Sequence, residues 1–324
     1  MTTSSPALGL QAAAISDVGR VRSGNEDAFV VDAIDKPGGR LVLLAVCDGM
    51  GGHAAGEVAS RAATEVLSSH LRRSPFSARP EEAASELIAA VRVADRLLFE
   101  AGARDRALKG MGTTLTAAAI VGDQVLIAEV GDSRAYLLRE GELVQLTRDQ
   151  TLVEQMIEAG QLRREDVAEF PYGNVILQAV GTTGDVQVDL TVLGACRGDL
   201  LLLCSDGLHG AVGDHALAEI LAGPGTPSDK CRALIERANE AGGDDNITCV
   251  VAVLDDARLP SPQGRRGGYE KYVFPETKAS GVESIASVEP APSFEPSPAR
   301  PLRASVALLV VGALALALSL ALRG

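Results

Sequence analysis

Residues 114–146 read TLTAAAIVGDQVLIAEVGDSRAYLLREGELVQL. Four apolar runs stand in this stretch, at 114–121, 125–130, 135–138 and 143–146. Each has the length of a strand and is too short for an ordinary helix. Gly122-Asp123 and Glu140-Gly141 lie between neighbouring runs and are residues that hairpin turns use. Further runs of the same kind lie at 12–15, 28–31, 41–47, 186–193, 200–204 and 247–254. Helical length and pattern mark 54–71, 81–100, 214–221 and 228–240, with a shorter helix at 152–159. The strands come in meandering pairs and do not alternate one-to-one with helices. The expected fold class is therefore α+β, with mostly antiparallel sheets and helices packed outside them.

The chain has 324 residues, ample for a hydrophobic core. Its net charge of −13 excludes nucleic acid as the main partner, because phosphate backbones demand a basic face. Five cysteines form no C-x-x-C pair, which excludes a zinc ribbon and a disulfide framework and fits a reduced compartment. Cys47, Cys204 and Cys249 stand in apolar runs and read as core. Four histidines make no H-E-x-x-H pattern, and no P-loop motif is present.

Composition divides the chain in three. Residues 1–255 read as one globular domain. Residues 256–303 hold eight of the fifteen prolines and read as a disordered linker. Residues 304–322, ASVALLVVGALALALSLAL, carry no charge. As a helix they would span roughly 28 Å, the thickness of a bilayer core. Apolar all round, the segment is expected to be a C-terminal transmembrane helix. Residues 1–10 lack the pattern of a signal peptide. A single-pass anchor in the inner or plasma membrane with the N-terminal domain in the cytoplasm is therefore expected, and Arg300 and Arg303 agree with that orientation. Residues 1–255 carry −15, so an anionic membrane should repel this domain, which would reach into the cytoplasm on its tether.

The chemistry-bearing pattern is the placing of aspartates at strand ends. The run 41–47 leads into Asp48-Gly49, 125–130 into Gly131-Asp132, and 200–204 through Ser205 into Asp206-Gly207. Gly242-Gly-Asp-Asp245 precedes the run at 247, and Glu26-Asp27 precedes the run at 28. One strand-end Asp-Gly is an ordinary turn. Several such acids from different strands, if they converge, repel one another unless cations neutralise them. Carboxylates without His or Cys partners select hard cations, Mg²⁺ or Mn²⁺. A glycine beside the acid lets the backbone come close and offer its carbonyl as a ligand.

Arg22-Ser-Gly-Asn-Glu-Asp27, Asp48-Gly-Met-Gly-Gly-His53, Gly112-Thr-Thr114, Gly131-Asp-Ser-Arg134, Ser205-Asp-Gly-Leu208 and Gly243-Asp-Asp-Asn-Ile-Thr248 together resemble the motif set of metal-dependent Ser/Thr protein phosphatases of type 2C, bacterial branch. They come in the family's order over about residues 10–254. The resemblance implies a β-sandwich of two antiparallel sheets flanked by helices on both sides, acting as a monomeric catalytic domain. It implies hydrolysis of phosphoserine and phosphothreonine in proteins by a hydroxide bridging two Mn²⁺ or Mg²⁺ ions, in opposition to a Ser/Thr kinase. By the same resemblance Asp48 bridges the two ions, the Gly49 carbonyl binds one, and Asp206 and Asp245 bind the other. Asp132 corresponds to the ligand of a third, weaker metal shared with Asp206. Glu26 and Asp27 would orient metal-bound waters. Arg22 would bind the substrate phosphate, a task that suits a guanidinium fork. Catalysis is thus expected to rest on Arg22, Asp48 and Asp206. The anchor adds a membrane Ser/Thr kinase to the expected phosphoprotein partners.

Two departures stand out. Met50 occupies the position where animal members carry a proposed acid histidine, so water is expected to protonate the leaving group, and His53 reads as a packing or capping residue. The segment 149–181 resembles the bacterial flap, but Glu169 precedes Pro171 by two residues in place of the usual histidine pattern, and Gln178 replaces an expected arginine. Cys231 and Arg237 match C-x₅-R only formally, since the stretch between them is helical in pattern and lacks glycine. The alternative to an enzyme is a catalytically inactive phosphoprotein-binding module at the membrane; intact Asp48, Asp206 and Asp245 argue against it.

Overall fold

The computed structural model describes residues 2–5, 9–52, 55–173, 175–262 and 270–272. The described residues form strands β1 (Thr2–Ser5), β2 (Leu10–Asp17), β3 (Asp27–Lys36), β4 (Gly39–Met50), β5 (Gly112–Thr113), β6 (Leu115–Val121) and β7 (Gln124–Val130). They continue with β8 (Arg134–Arg139), β9 (Glu142–Gln145), β10 (Asp189–Gly194), β11 (Asp199–Cys204), β12 (Ile247–Leu254) and β13 (Glu270–Tyr272). The helices are α1 (Ala55–Arg73), α2 (Pro80–Arg104), α3 (Leu152–Glu158), α4 (Asp206–His209), α5 (Asp214–Ala222) and α6 (Pro227–Glu240).

The strands make two sheets, ordered β1-β2-β12-β11-β8-β9 and β13-β10-β7-β6-β4-β3, with β5 paired to the end of β4. All the pairings are antiparallel. The expected tight turns are where the sequence put them: Gly122 (φ 60°) joins β6 to β7, and Glu140 (φ 51°) with Gly141 (φ 82°) joins β8 to β9.

Three apolar layers stack through the unit. Val42, Leu44 and Val46 of β4 meet Leu201 and Leu203 of β11 and Val250 of β12 between the sheets. The alternate residues Leu41, Leu43, Ala45 and Cys47 point the other way, onto Ala59, Ala63, Leu67 and Leu71 of α1 and Leu87 of α2. On the far side Leu200, Leu202 and Cys204 meet Leu217 of α5 and Leu234 and Ala238 of α6. A sheet covered on both faces needs apolar residues at every position, which is why β4 and β11 read as unbroken runs. The small residues of α1 at four-residue spacing let that helix lie close on β4.

The strand Glu270–Tyr272 falls within 256–303, which its prolines mark as linker, and pairs with β10 as an added edge. Among the described residues no helix is long and apolar enough to cross a membrane. The apolar segment 304–322 lies outside the described residues, as does His53.

Candidate metal centre

The two sheets bring every acid singled out above to one end of the sandwich. Asp27 opens β3 and is the register partner of Asp48 near the end of β4. Asp132 sits in the turn between β7 and β8, Asp206 opens α4 directly after β11, and Asp245 stands two residues before β12. Glu26 precedes β3, and Arg22 lies in the loop from β2 to β3.

The backbone carrying these acids is fixed by hydroxyls and one amide. Thr114 Oγ1 accepts from the Asp48 N–H at 2.9 Å, while the Asp48 carbonyl accepts from Thr114 N–H and Thr113 Oγ1, both at 2.9 Å. Thr114 Oγ1 also bonds Ser133 Oγ at 2.8 Å, which ties the Asp48 strand end to the Asp132 turn. Ser205 Oγ donates to Asp27 at 2.7 Å and accepts from the Thr248 N–H at 3.0 Å. The Asn246 side chain accepts from Glu26 N–H and donates to the carbonyls of Val18 and Gly24. These partners are absent from the sequence reading, although every one lies inside a quoted motif. What commits them is burial, which only the fold creates: a hydroxyl with no solvent must find a partner inside the protein.

The glycines beside the acids are required by contact. A Cβ on Gly49 would stand 2.1 Å from the Gly56 carbonyl oxygen, and one on Gly207 2.1 Å from that of Asn246. The Gly49 N–H donates to the Glu26 carbonyl at 3.1 Å. Strand end, helix start and acid-bearing loop therefore meet backbone to backbone.

Electrostatics at this end are dominated by uncompensated negative charge. Burial, then the charges of Asp206 and Asp245, push Asp27 up to about 7. Burial, then Asp206 and Asp149, push Asp132 up to about 7. Asp48 is driven well above the carboxylate range by burial and by Asp27 and Asp206, and Asp206 is raised by burial. Glu26 is raised by burial against the opposing pull of Arg22. Arg22 holds Asp245 at 2.7 Å with its guanidinium half exposed. At the turn, Arg134 grips Asp149 through two nitrogens and bonds Tyr136. His209 Nε2 donates to the Asp132 carbonyl at 3.0 Å, and burial holds this imidazole down to about 4, hence neutral.

The donor set fits a hard cation. Asp27 Oδ1, Asp132 Oδ1 and Asp206 Oδ1 are buried without a hydrogen-bond partner. No histidine or cysteine joins them, so the site is an all-oxygen one. No three acidic, histidine or cysteine side chains among the described residues close on one point as a ready-made cage. The centre is thus an open one, in which a cation would take few protein ligands and keep several waters.

The segment 149–181 is tied to the same end of the sandwich. Gln150 N–H donates to the Gly131 carbonyl at 2.8 Å, and its side-chain oxygen accepts from Gly131 N–H at 2.9 Å. Gln178, which stands where an arginine was expected, accepts from Gln187 N–H at 2.9 Å.

Comparison with known proteins agrees with this geometry. The family model described as Protein phosphatase 2C matches residues 20–249. The serine/threonine phosphatase stp of Listeria monocytogenes serotype 4b (strain F2365) is 40% identical over 240 residues, covering 74% of this chain and 94% of its own. The serine/threonine protein phosphatase PstP of Mycobacterium tuberculosis (strain ATCC 25618 / H37Rv) is 37% identical over 284 residues, covering 86% of this chain and 52% of its own. Among solved structures, the S. agalactiae serine/threonine phosphatase superposes with a TM-score of 0.71 at 36% identity, covering 76% of this chain and 100% of that one. The catalytic domain of PstP in complex with two manganese ions superposes with a TM-score of 0.66 at 39% identity, covering 76% and 99%.

Proposed function

The chain belongs to the protein phosphatase 2C family and is a serine/threonine protein phosphatase, and from that premise we propose how its own residues perform the reaction. The observation that carries the reading is the trio of buried, unpartnered carboxylate oxygens on Asp27, Asp132 and Asp206. Asp48 would be shared by two cations, with the Gly49 carbonyl on one and Asp206 and Asp245 on the other. Asp132, with Asp206, would hold a third. The two manganese ions of the PstP complex support two such ions here, as Mn²⁺ or Mg²⁺. When bound, such ions lower the pKa of a held water towards neutrality and offset phosphoryl charge.

The remaining roles belong to the chain. Glu26 and Asp27 would orient water from behind. Arg22, half exposed and anchored on Asp245 through one nitrogen, has further N–H donors for phosphate oxygens. Asp245 thereby would set the aim of Arg22. Neither Met50, which cannot give a proton, nor His209, which is buried, neutral and committed to the Asp132 carbonyl, suits the part of general acid, and bound cations would keep the raised carboxyls of Asp27 and Asp132 ionised. The leaving oxygen would therefore take its proton from water.

The test is phosphate release from a phosphothreonine peptide by residues 1–273, with Mn²⁺ and with chelator, beside Asp206→Asn. Release should need the metal and fall about ten- to a hundredfold in the variant. Release that persists in chelator would overturn the metal reading.

We further propose that residues 304–322 anchor the chain in the membrane with the phosphatase in the cytoplasm, where a membrane Ser/Thr kinase would be among its substrates. Deleting 304–324 should then move the protein to the soluble fraction; unchanged membrane association would sink the anchor.

A further inference from the structure

Helix α2 buries Leu87, Val91, Ala94 and Leu98 against the sheet and α1. Its other side carries partly exposed apolar residues. Val93, Leu97 and Phe99 remain 37%, 45% and 43% exposed, and Arg92 and Arg96 stand among them. Just beyond the helix, Arg106 and Lys109 are exposed on the following turn. None of these four cations has an ion-pair partner among the described residues.

Of the acids of the same stretch, one is buried, one is paired, and one keeps its charge on the turn beside Arg106. Asp95 is buried and accepts from Gly181 N–H at 2.6 Å and Val186 N–H at 3.0 Å. Glu100 pairs with Arg104 at 2.7 Å, and Asp105 accepts from Ala107 N–H at 2.8 Å. On the helix surface Arg92 and Arg96 stand between Phe99 on one flank and Val93 and Leu97 on the other, on a chain of net −13. The face runs into a notch of about 470 Å³, with Phe99, Ala103 and Met111 on its walls and Arg106 and Lys109 at its rim.

We propose that this face of α2 docks the catalytic unit against an anionic bilayer surface. Cations that meet lipid phosphates and apolar side chains that enter the headgroup boundary are the two parts of interfacial binding. An acidic protein partner would match the cations and leave Val93, Leu97 and Phe99 without a role. The chain beyond the described residues supplies the second argument. Residues 304–322 are uncharged and apolar, and only residues 273–303 lie between them and β13. Fully extended, those residues reach at most about 110 Å. In this respect the inference rests on the anchor proposed above, which keeps the unit within that reach of a bilayer. The domain's acidic remainder does not prevent contact, since charges more than about 8 Å from the lipid are screened at physiological salt. An oriented approach of this face is compatible with the repulsion expected of the domain as a whole. Thr182, at the root of the flap, lines the same notch, so a docked unit would present its centre to phosphoproteins held in that membrane.

The solved chains of two relatives are matched over 99–100% of their length by this unit, so residues 1–273 serve as the test protein. They would be floated with vesicles of phosphatidylcholine, with and without phosphatidylglycerol. Binding should require the anionic lipid and weaken as salt is raised. Arg92→Glu with Arg96→Glu, and separately Leu97→Ser with Phe99→Ser, should each lower it about tenfold or more, with release of phosphate from a soluble phosphopeptide unchanged. Melting curves of the variants verify their folding. Equal binding to both vesicle types, or full binding by the charge-reversed variant, overturns the proposal. Binding to polyglutamate that the serine variant retains would assign the face to an acidic protein, and a dimer that it dissolves would assign it to a second copy; both overturn it. Failure here leaves the anchor standing, because deletion of 304–324 tests that separately.

Discussion

At Gly49 there is no room for any side chain. Its absent Cβ would fall 2.1 Å from the Gly56 carbonyl oxygen and 2.6 Å from that of Glu26, both parts of the backbone. Neither can yield without separating the start of α1 or the Glu26 loop from the end of β4. Gly49→Ala should therefore act in two ways at once. Overpacking should lower stability by about 1–3 kcal/mol, read from the urea midpoint. The displacement should also move Asp48 away from Asp206 and weaken Mn²⁺ binding, read by calorimetry on the folded variant. A variant that binds Mn²⁺ as tightly as the parent would show that the close approach is packing alone. The acids around Gly49 were legible in the sequence because each follows or precedes an apolar run. Their hydroxyl partners were not, because nothing local links Ser205 to Asp27 across 178 residues of chain.

Elements contribute unequally to this end of the molecule, and one polar pair shows where stability and function part. Arg139 on β8 and Asp199 at the start of β11 form a buried ion pair, with nitrogen–oxygen distances of 2.7 and 2.6 Å. Arg139 also donates to the Gly194 carbonyl, and Asp199 accepts from Cys196 N–H. The pair locks β8 to β11 at the strand ends opposite Asp132 and Asp206. Asp199→Ala leaves a buried guanidinium without its carboxylate, which costs about 3–5 kcal/mol. Urea unfolding should show that loss, while kcat/KM per folded molecule on a phosphopeptide should stay at the parent value. A matching loss of kcat/KM would mean that the far end of the sheet also tunes the metal centre. Strands such as β4, β11 and β12 were readable as apolar runs with turn residues at their ends. Of the four edge strands, β3 and β9 were readable in the same way and two were not: β1 (TTSS) has no apolar residue, and β13 lies in a proline-rich stretch. Both are held by backbone pairing to a neighbour, an interaction that leaves little trace in side-chain pattern. The helix boundaries were nearly right where caps exist. Thr226 and Asp229 form a capping box that starts α6, one residue before the stretch expected from periodicity.

For the molecule as a whole, the crowded acids make stability and metal binding one property. A carboxyl whose pKa is higher in the folded than in the unfolded state binds more protons when folded. Raising the pH through that window therefore costs stability, at roughly 1.4 kcal/mol per pH unit for each net proton. Asp27 and Asp132 define the window, from the ordinary carboxylate value of 3.8 up to about 7. Asp48 and Glu129, both held well above the ordinary carboxylate range by burial and neighbouring acids, act in the same sense. His209 acts in the opposite sense, since its depression from 6.5 to about 4 gives stability that is present at neutral pH and lost on acidification. One histidine against four carboxyls leaves the carboxyls in control, and above pH 6.5 the histidine is silent. The metal-free protein should accordingly lose stability between about pH 5 and pH 7.5, measured by urea unfolding in chelator. Saturating Mn²⁺ should flatten or reverse that slope, because a bound cation favours the ionised carboxylates and binds only the folded chain. A chelated protein that is more stable at pH 7.5 than at pH 5 would mean that the acids are already neutralised within the fold, and the case for cations at this end would fail with it.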